Sequence, residues 1–202
     1  MVSDTDTQTV ELKAGDFWQA VGAALPHTST DTTLPILHAV KLEVADGEFR
    51  AVATTRYNLG VATVAVDSAA EFSFLLHRVE AANLVKQLRA TLKATPDLPV
   101  SLAVSVVDRS TYLSVHTVHG ESRFVDMGGN FPPYRALLNF TKEREPVEEM
   151  AFELDFLDAF RRSRIALGID TPMRLRFRGP LKGVDVAIGD TFHGLLMPIR
   201  MH

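Results

Sequence analysis

The sequence predicts an α+β fold built from three copies of one module, each a strand, an amphipathic helix and three further strands. Two observations carry this. The apolar period switches from two to 3.6 and back three times along 202 residues. The copies are also similar in length, running roughly from Thr9 to Val66, Glu71 to Asp126 and Met150 to Met201. A unit repeated at that spacing is built to stack on itself.

In the first copy Thr9-Val10-Glu11-Leu12-Lys13 alternates polar and apolar, as a half-buried strand does. Phe17, Val21, Ala24 and Leu25 then recur at helical spacing until Pro26 ends the helix. His27 to Thr33 reads as a polar loop. Strands are expected at Ile36–Val44, Glu48–Ala53 and Leu59–Val66, with Asp46-Gly47 as a hairpin turn.

The second copy opens on the strand Glu71–Leu76 and continues in a helix from Arg78 to about Lys93. Strands at Val100–Val107, Thr111–Val118 and Ser122–Met127 follow, the last stopped by Gly128-Gly129. The third copy gives Ala151–Leu154, a helix to about Leu167, then strands at Met173–Arg178, Val184–Ile188 and Phe192–Ile199. Phe17, Val21, Leu84, Leu88, Phe156 and Phe160 are the expected helix contributions to the core. Residues 1–8 are expected to be a disordered tail, 9–139 a complete domain, 140–149 a charged proline-bearing linker and 150–202 a half domain.

Composition narrows the function. Apolar residues make up 46% and charged residues 23%, enough for a real core. There is no cysteine, which removes disulfide scaffolds and thiolate zinc sites and makes a reducing cytoplasm the expected compartment. The polar N-terminus has no apolar signal region, and no run is long enough to span a membrane. Net charge is −4, against a protein that merely coats nucleic acid. Enzyme constellations are missing too. His116 and His119 face opposite sides of a strand, and there is no nucleophile elbow, metalloprotease histidine pair or P-loop. No catalytic residue, metal or cofactor is expected.

The second helix is the strongest internal pointer to nucleic acid. Lys86, Arg89 and Lys93 stack at i, i+3 and i+7, opposite Ala81, Leu84, Leu88 and Leu92. Such a stripe holds phosphates without reading bases. Arg161 and Arg162 point away from Phe156 and Phe160 and are candidates for the same role. The first helix carries no cation between Ala14 and Leu25. Arg174, Arg176 and Arg178 alternate with Leu175 and Phe177 on one strand face, read as a solvated face that discourages edge pairing.

The module, with Phe131-Pro132-Pro133-Tyr134-Arg135 closing the second copy and Met197-Pro198-Ile199-Arg200-Met201 closing the third, resembles the bacterial replicative sliding clamp, the beta subunit of DNA polymerase III. Leu34-Pro35-Ile36-Leu37 and the Ala53-Thr54 strand end fit the same pattern. Residues 9–139 resemble the middle clamp domain and 150–201 the second half of the last one. The family's usual Ala-Thr-Asp-Gly-His-Arg-Leu stands here as Ala53-Thr54-Thr55-Arg56-Tyr57-Asn58-Leu59. A first domain has no counterpart, and neither does the first half of the last.

The resemblance implies a DNA-clamp fold with helices toward a duplex channel. It also implies a partner-peptide pocket formed by Leu37, Thr54, Arg56, Tyr57, Asn58, Leu59, Pro132, Leu137, Leu195, Met197, Pro198, Ile199 and Arg200. The expected function is a replication processivity clamp that encircles duplex DNA and docks a polymerase or other clamp-binding protein. The alternative is a clamp mimic that keeps the pocket without encircling DNA. The family's ring holds twelve modules and this chain supplies three, so a homo-oligomer is expected. A two-fold dimer through residues 150–201 is the basic unit, and a tetrameric ring extends it.

Overall fold

The computed structural model describes residues 7–92, 95, 97–138 and 145–200. The first module forms β1 (Gln8–Lys13), α1 (Ala14–Ala24), β2 (Ala39–Ala45), β3 (Glu48–Thr54) and β4 (Asn58–Ala65). The second forms β5 (Phe72–His77), α2 (Arg78–Leu92), β6 (Pro99–Val107), β7 (Ser110–Thr117) and β8 (Gly120–Val125), followed by the short α3 (Tyr134–Leu138). The third forms α4 (Leu154–Leu167), β9 (Met173–Arg176), β10 (Val184–Ile188) and β11 (Phe192–Leu196). The β2–β3 hairpin turns at Asp46 and Gly47, at φ 58° and 72°. Those are the two left-handed residues of a type I′ turn.

Two antiparallel sheets result. One has the order β1-β6-β7-β8, the other β5-β2-β3-β4-β11-β10-β9. The first two modules trade their opening strands, β1 joining the second module's sheet and β5 the first's. The third module attaches differently. Its last strand extends the first module's sheet, with Leu59 opposite Leu195 and Ala62 opposite Phe192.

Helices α2, α1 and α4 pack in that order over one face, α1 touching both others. Phe17, Phe49, Phe74, Phe160 and Phe192, all fully buried, fill the layer between helices and sheets. Val21, Leu84 and Leu88 are buried as expected. Phe156 is only half-buried, because its ring stacks on Tyr57 at 5.7 Å at the rim of this layer.

Several expected elements differ. Pro35–His38 is a short 3-10 turn rather than the start of a strand, as Pro35 has no N–H to give a ladder. His27 is not in an open polar loop; it is wholly buried. The last strand stops at Leu196 rather than Ile199, and β9 stops at Arg176 rather than Arg178. The expected opening strand of the third module, Ala151–Leu154, is absent. Leu154 already begins α4, and only the bridge between Ala151 and Ile199 remains.

Candidate functional site

The two walls of the expected pocket meet where β4 runs beside β11. The Thr54–Leu59 corner is fixed by its own hydrogen bonds. Thr54 Oγ1 donates to the Asn58 carbonyl at 2.7 Å, and the Arg56 N–H donates to Thr54 Oγ1 at 3.1 Å. Thr55 Oγ1 bonds Asn58 Oδ1 at 3.0 Å. This closed corner holds Arg56 in the left-handed region at φ 81° and pushes Arg56 and Tyr57 outward. The Met197 N–H donates to the Tyr57 carbonyl at 2.8 Å, tying the tail wall to the corner.

On the sheet face away from the helices, Val52, Leu59, Val61 and Tyr134 form a small apolar cluster, joined by Phe131, Leu138 and Leu195. Leu59 and Leu195 are therefore brought together. Thr54, Asn58 and Leu37 are buried, with Leu37 held under the Ser29 N–H at 2.8 Å. Pro132 is half-buried and Leu137 exposed at the outer side of α3. Pro198, Ile199 and Arg200 do not join the cluster. They line a separate hollow of about 390 Å³ with Met150, Ala151, Pro180 and Leu181.

A cleft of about 510 Å³ lies on the same sheet face, against Tyr134, Arg135 and Leu138 of α3. Val61, Leu138 and Ala187 are among its apolar residues, and Arg135, Arg174, Arg176 and His193 are basic groups around it.

What positions α3 is a polar latch. Tyr134 Oη donates to the Glu43 carboxylate, and Arg135 reaches Glu43 at 3.0 Å and Asp46 at 3.0 Å. Lys41 adds a bond to Glu43 at 2.7 Å. Partial burial opposes the Glu43 charge, but the bonds from Lys41, Tyr134 and Arg135 outweigh it and hold the carboxyl down at about 2. Burial and the same carboxylate push Tyr134 up to about 12. Glu43 and Tyr134 were not among the expected site residues. The Phe-Pro-Pro-Tyr-Arg motif was the available signal, but nothing in its spacing identifies the acid it meets.

Toward the helices, the seam between first and third modules is closed by His27. Its Nε2 lies 3.0 Å from Ser163 Oγ, whose hydroxyl faces the Ala23 and Ala159 carbonyls. The ring packs edge-on against Phe160 at 4.6 Å. Gly60 makes room for it, since a Cβ there would meet the ring at 2.4 Å. Desolvation drives the His27 pKa down to about 3, so the imidazole is neutral.

Of the expected DNA-contact residues, Lys86 and Arg89 are exposed on α2, with no ion pair among the described residues. Lys93 lies outside the described residues. Arg161 and Arg162 are exposed on α4, but both are held by Asp158, at 2.7 and 2.9 Å.

This architecture is that of the DNA sliding clamps. The DNA polymerase III beta subunit of Thermotoga maritima matches at a TM-score of 0.75 and 16% identity, over 96% of this chain and 66% of that one. A sliding clamp from Pseudomonas aeruginosa bound to griselimycin matches at 0.76 and 15% identity, over 100% and 68%. A putative beta subunit from Eubacterium rectale matches at 0.78 and 8% identity, over 100% and 67%. The chain thus spans about two thirds of the length of these clamps. No family model matches the sequence, and no curated protein does. Among the described residues no helix is long and apolar enough to cross a membrane.

Proposed function

We propose that this protein is a reduced, non-enzymatic DNA clamp of the cytoplasm that docks a polymerase or another clamp-binding protein through a short apolar peptide. Residues 9–139 act as its complete domain and 150–202 as a half domain, joined by the 140–149 linker. The observation that carries the reading is the β4–β11 junction, which sets Leu59 opposite Leu195 and bonds Met197 to Tyr57. A sheet that continues across two modules makes one rigid platform from two distant stretches of sequence. Leu59, Pro132, Leu137, Leu195 and Met197 supply the apolar floor and Arg56 and Tyr57 the polar rim, with buried Thr54 bracing their corner and Arg200 in the adjacent hollow. Leu37, Asn58, Pro198 and Ile199 shape the flanks. An adaptable apolar floor with a polar rim suits a Leu or Phe side chain, worth about 1.5–3 kcal/mol when buried.

In this reading Lys86, Arg89 and Lys93, with Arg161 and Arg162, line the duplex side, and four chains would supply the twelve modules of a ring. The mimic reading is favoured by one observation: Asp158 neutralises the α4 arginines, leaving α2 as the main basic helix. Titration calorimetry with a Leu/Phe-anchored peptide tests the pocket. Deleting residues 197–202 should abolish binding while the 9–139 domain stays folded. Unchanged affinity would place the site elsewhere.

A further inference from the structure

The chain contains its own rule for what belongs beside β9. Leu12 and Leu76 stand two residues before α1 and α2. Each pairs with the first residue of the other module's sheet that faces the common core: Leu12 opposite Val100 and Leu76 opposite Val40. Phe152 stands at the same distance before α4, and Met173 is the first core-facing residue of β9. Among the described residues no strand lies on that edge, so β9 ends the seven-stranded sheet as described.

The donor segment is also already in place. In the second module the Leu75 carbonyl, three residues before α2, accepts the Met127 N–H at 3.1 Å while the other edge of β5 pairs with β2. In the third module the Ala151 carbonyl, three residues before α4, accepts the Ile199 N–H at 2.9 Å. One edge of segment 149–153 is thus bonded at Ala151 as β5 is at Leu75, and among the described residues no strand lies along its other edge.

We propose that a second copy of this chain fills the β9 edge, the two copies exchanging their 149–153 segments about a two-fold axis. Phe152 then pairs with Met173, Ala151 with Arg174, Met150 with Leu175 and Glu149 with Arg176. Charge supports this occupant over a simpler pairing. Arg174 and Arg176 project from the outer face of β9, and Arg176 has no ion pair among the described residues. Abutting two β9 strands would set arginines against arginines, which is repulsive. The exchange instead brings Glu149 directly opposite Arg176. It also sets the two α4 helices side by side, as α1 lies beside α2, and covers Leu154 and Ile165, which are 75% and 61% exposed. The pairing is isologous and closes on itself.

The proposal stands apart from the peptide pocket, so either can fail alone. Light scattering of the full chain across the micromolar range should give twice the 22.3 kDa chain mass. E149R and R176E should each shift the protein to monomer, and the double reversal should restore the dimer. Because the natural chain has no cysteine, a crosslink gives an independent reading. Following β5, Ala151 and Arg174 form a non-hydrogen-bonded pair, with Cα atoms about 4.5 Å apart, within disulfide reach. Mild oxidation should convert the A151C/R174C protein to a covalent dimer and leave either single variant uncrosslinked. A monomer at every concentration, a dimer insensitive to both charge reversals, or a disulfide closing within one chain would each overturn it.

Discussion

The first module is joined to its two neighbours in different ways. With the second it exchanges strands, so each sheet contains a piece of the other module. With the third it shares a sheet edge and a helix contact, sealed by the His27–Ser163 pair, the rings of Phe160 and Phe192 and the Tyr57–Phe156 stack. Strand exchange spreads cohesion along a whole ladder. It supplies two such ladders, one in each sheet, whereas the third module is held by the single β4–β11 ladder and a few buried side chains, which makes the second seam the easier one to open.

The largest expected effect follows directly. Phe160 is fully buried in that seam, and Phe160→Ala should cost about 3–5 kcal/mol. Hydrogen exchange should then quicken in β9, β10 and β11 well before β6 and β7. Equal acceleration in both sheets would mean that the modules unfold as one unit and that the two seams are energetically alike.

The second effect is a pH dependence placed in the same seam. The unfolded His27 takes up a proton below about 6.5, whereas the buried ring resists until about 3. The unfolded state binds more protons throughout that window, so stability falls as pH drops through it. At pH 5 the loss is about 2 kcal/mol, from roughly 1.4 kcal/mol per unit. Glu43 acts only lower, its stabilising charge being lost as pH falls from 4.5 toward about 2. Urea titrations at pH 7 and pH 5 should show this loss in the natural chain and not in His27→Phe. A pH dependence that survives the substitution would locate the proton elsewhere.

Much of the fold was legible in the sequence because repetition multiplies weak signals. Three helices with matching apolar faces, and the Asp46-Gly47 turn, needed no tertiary knowledge. His27 was hidden because it sits among Thr28, Ser29 and Thr30, where local polarity says loop; only Gly60 and Phe160, far along the chain, make its burial possible. The missing third-module strand misled for a related reason. Met150-Ala151-Phe152 is a short apolar run of the kind a buried strand carries, but a strand also needs an edge to pair with. Of the candidate site, the β4–β11 junction was implied by the family resemblance, while the Glu43 latch depends on a contact across 91 residues that no local pattern encodes.

The smallest expected effect separates the helices by their charge. Lys86 and Arg89 are exposed on α2 with no ion pair among the described residues, whereas Arg161 and Arg162 share the Asp158 carboxylate, whose bonds to Arg161 first and then Arg162 hold it below the ordinary range. If duplex DNA lies against the helices, replacing Lys86 and Arg89 with Gln should flatten the dependence of log affinity on log salt by about 1.8. Replacing Arg161 and Arg162 should change it less, since releasing Asp158 offsets part of the charge removed. Neither change should alter sequence preference, because phosphate contacts carry no base information. Fluorescence anisotropy on a labelled duplex across a salt series reads both slopes. Equal slopes in all three proteins would make the α2 stripe an ordinary solvated face, and the mimic reading would then be the better one.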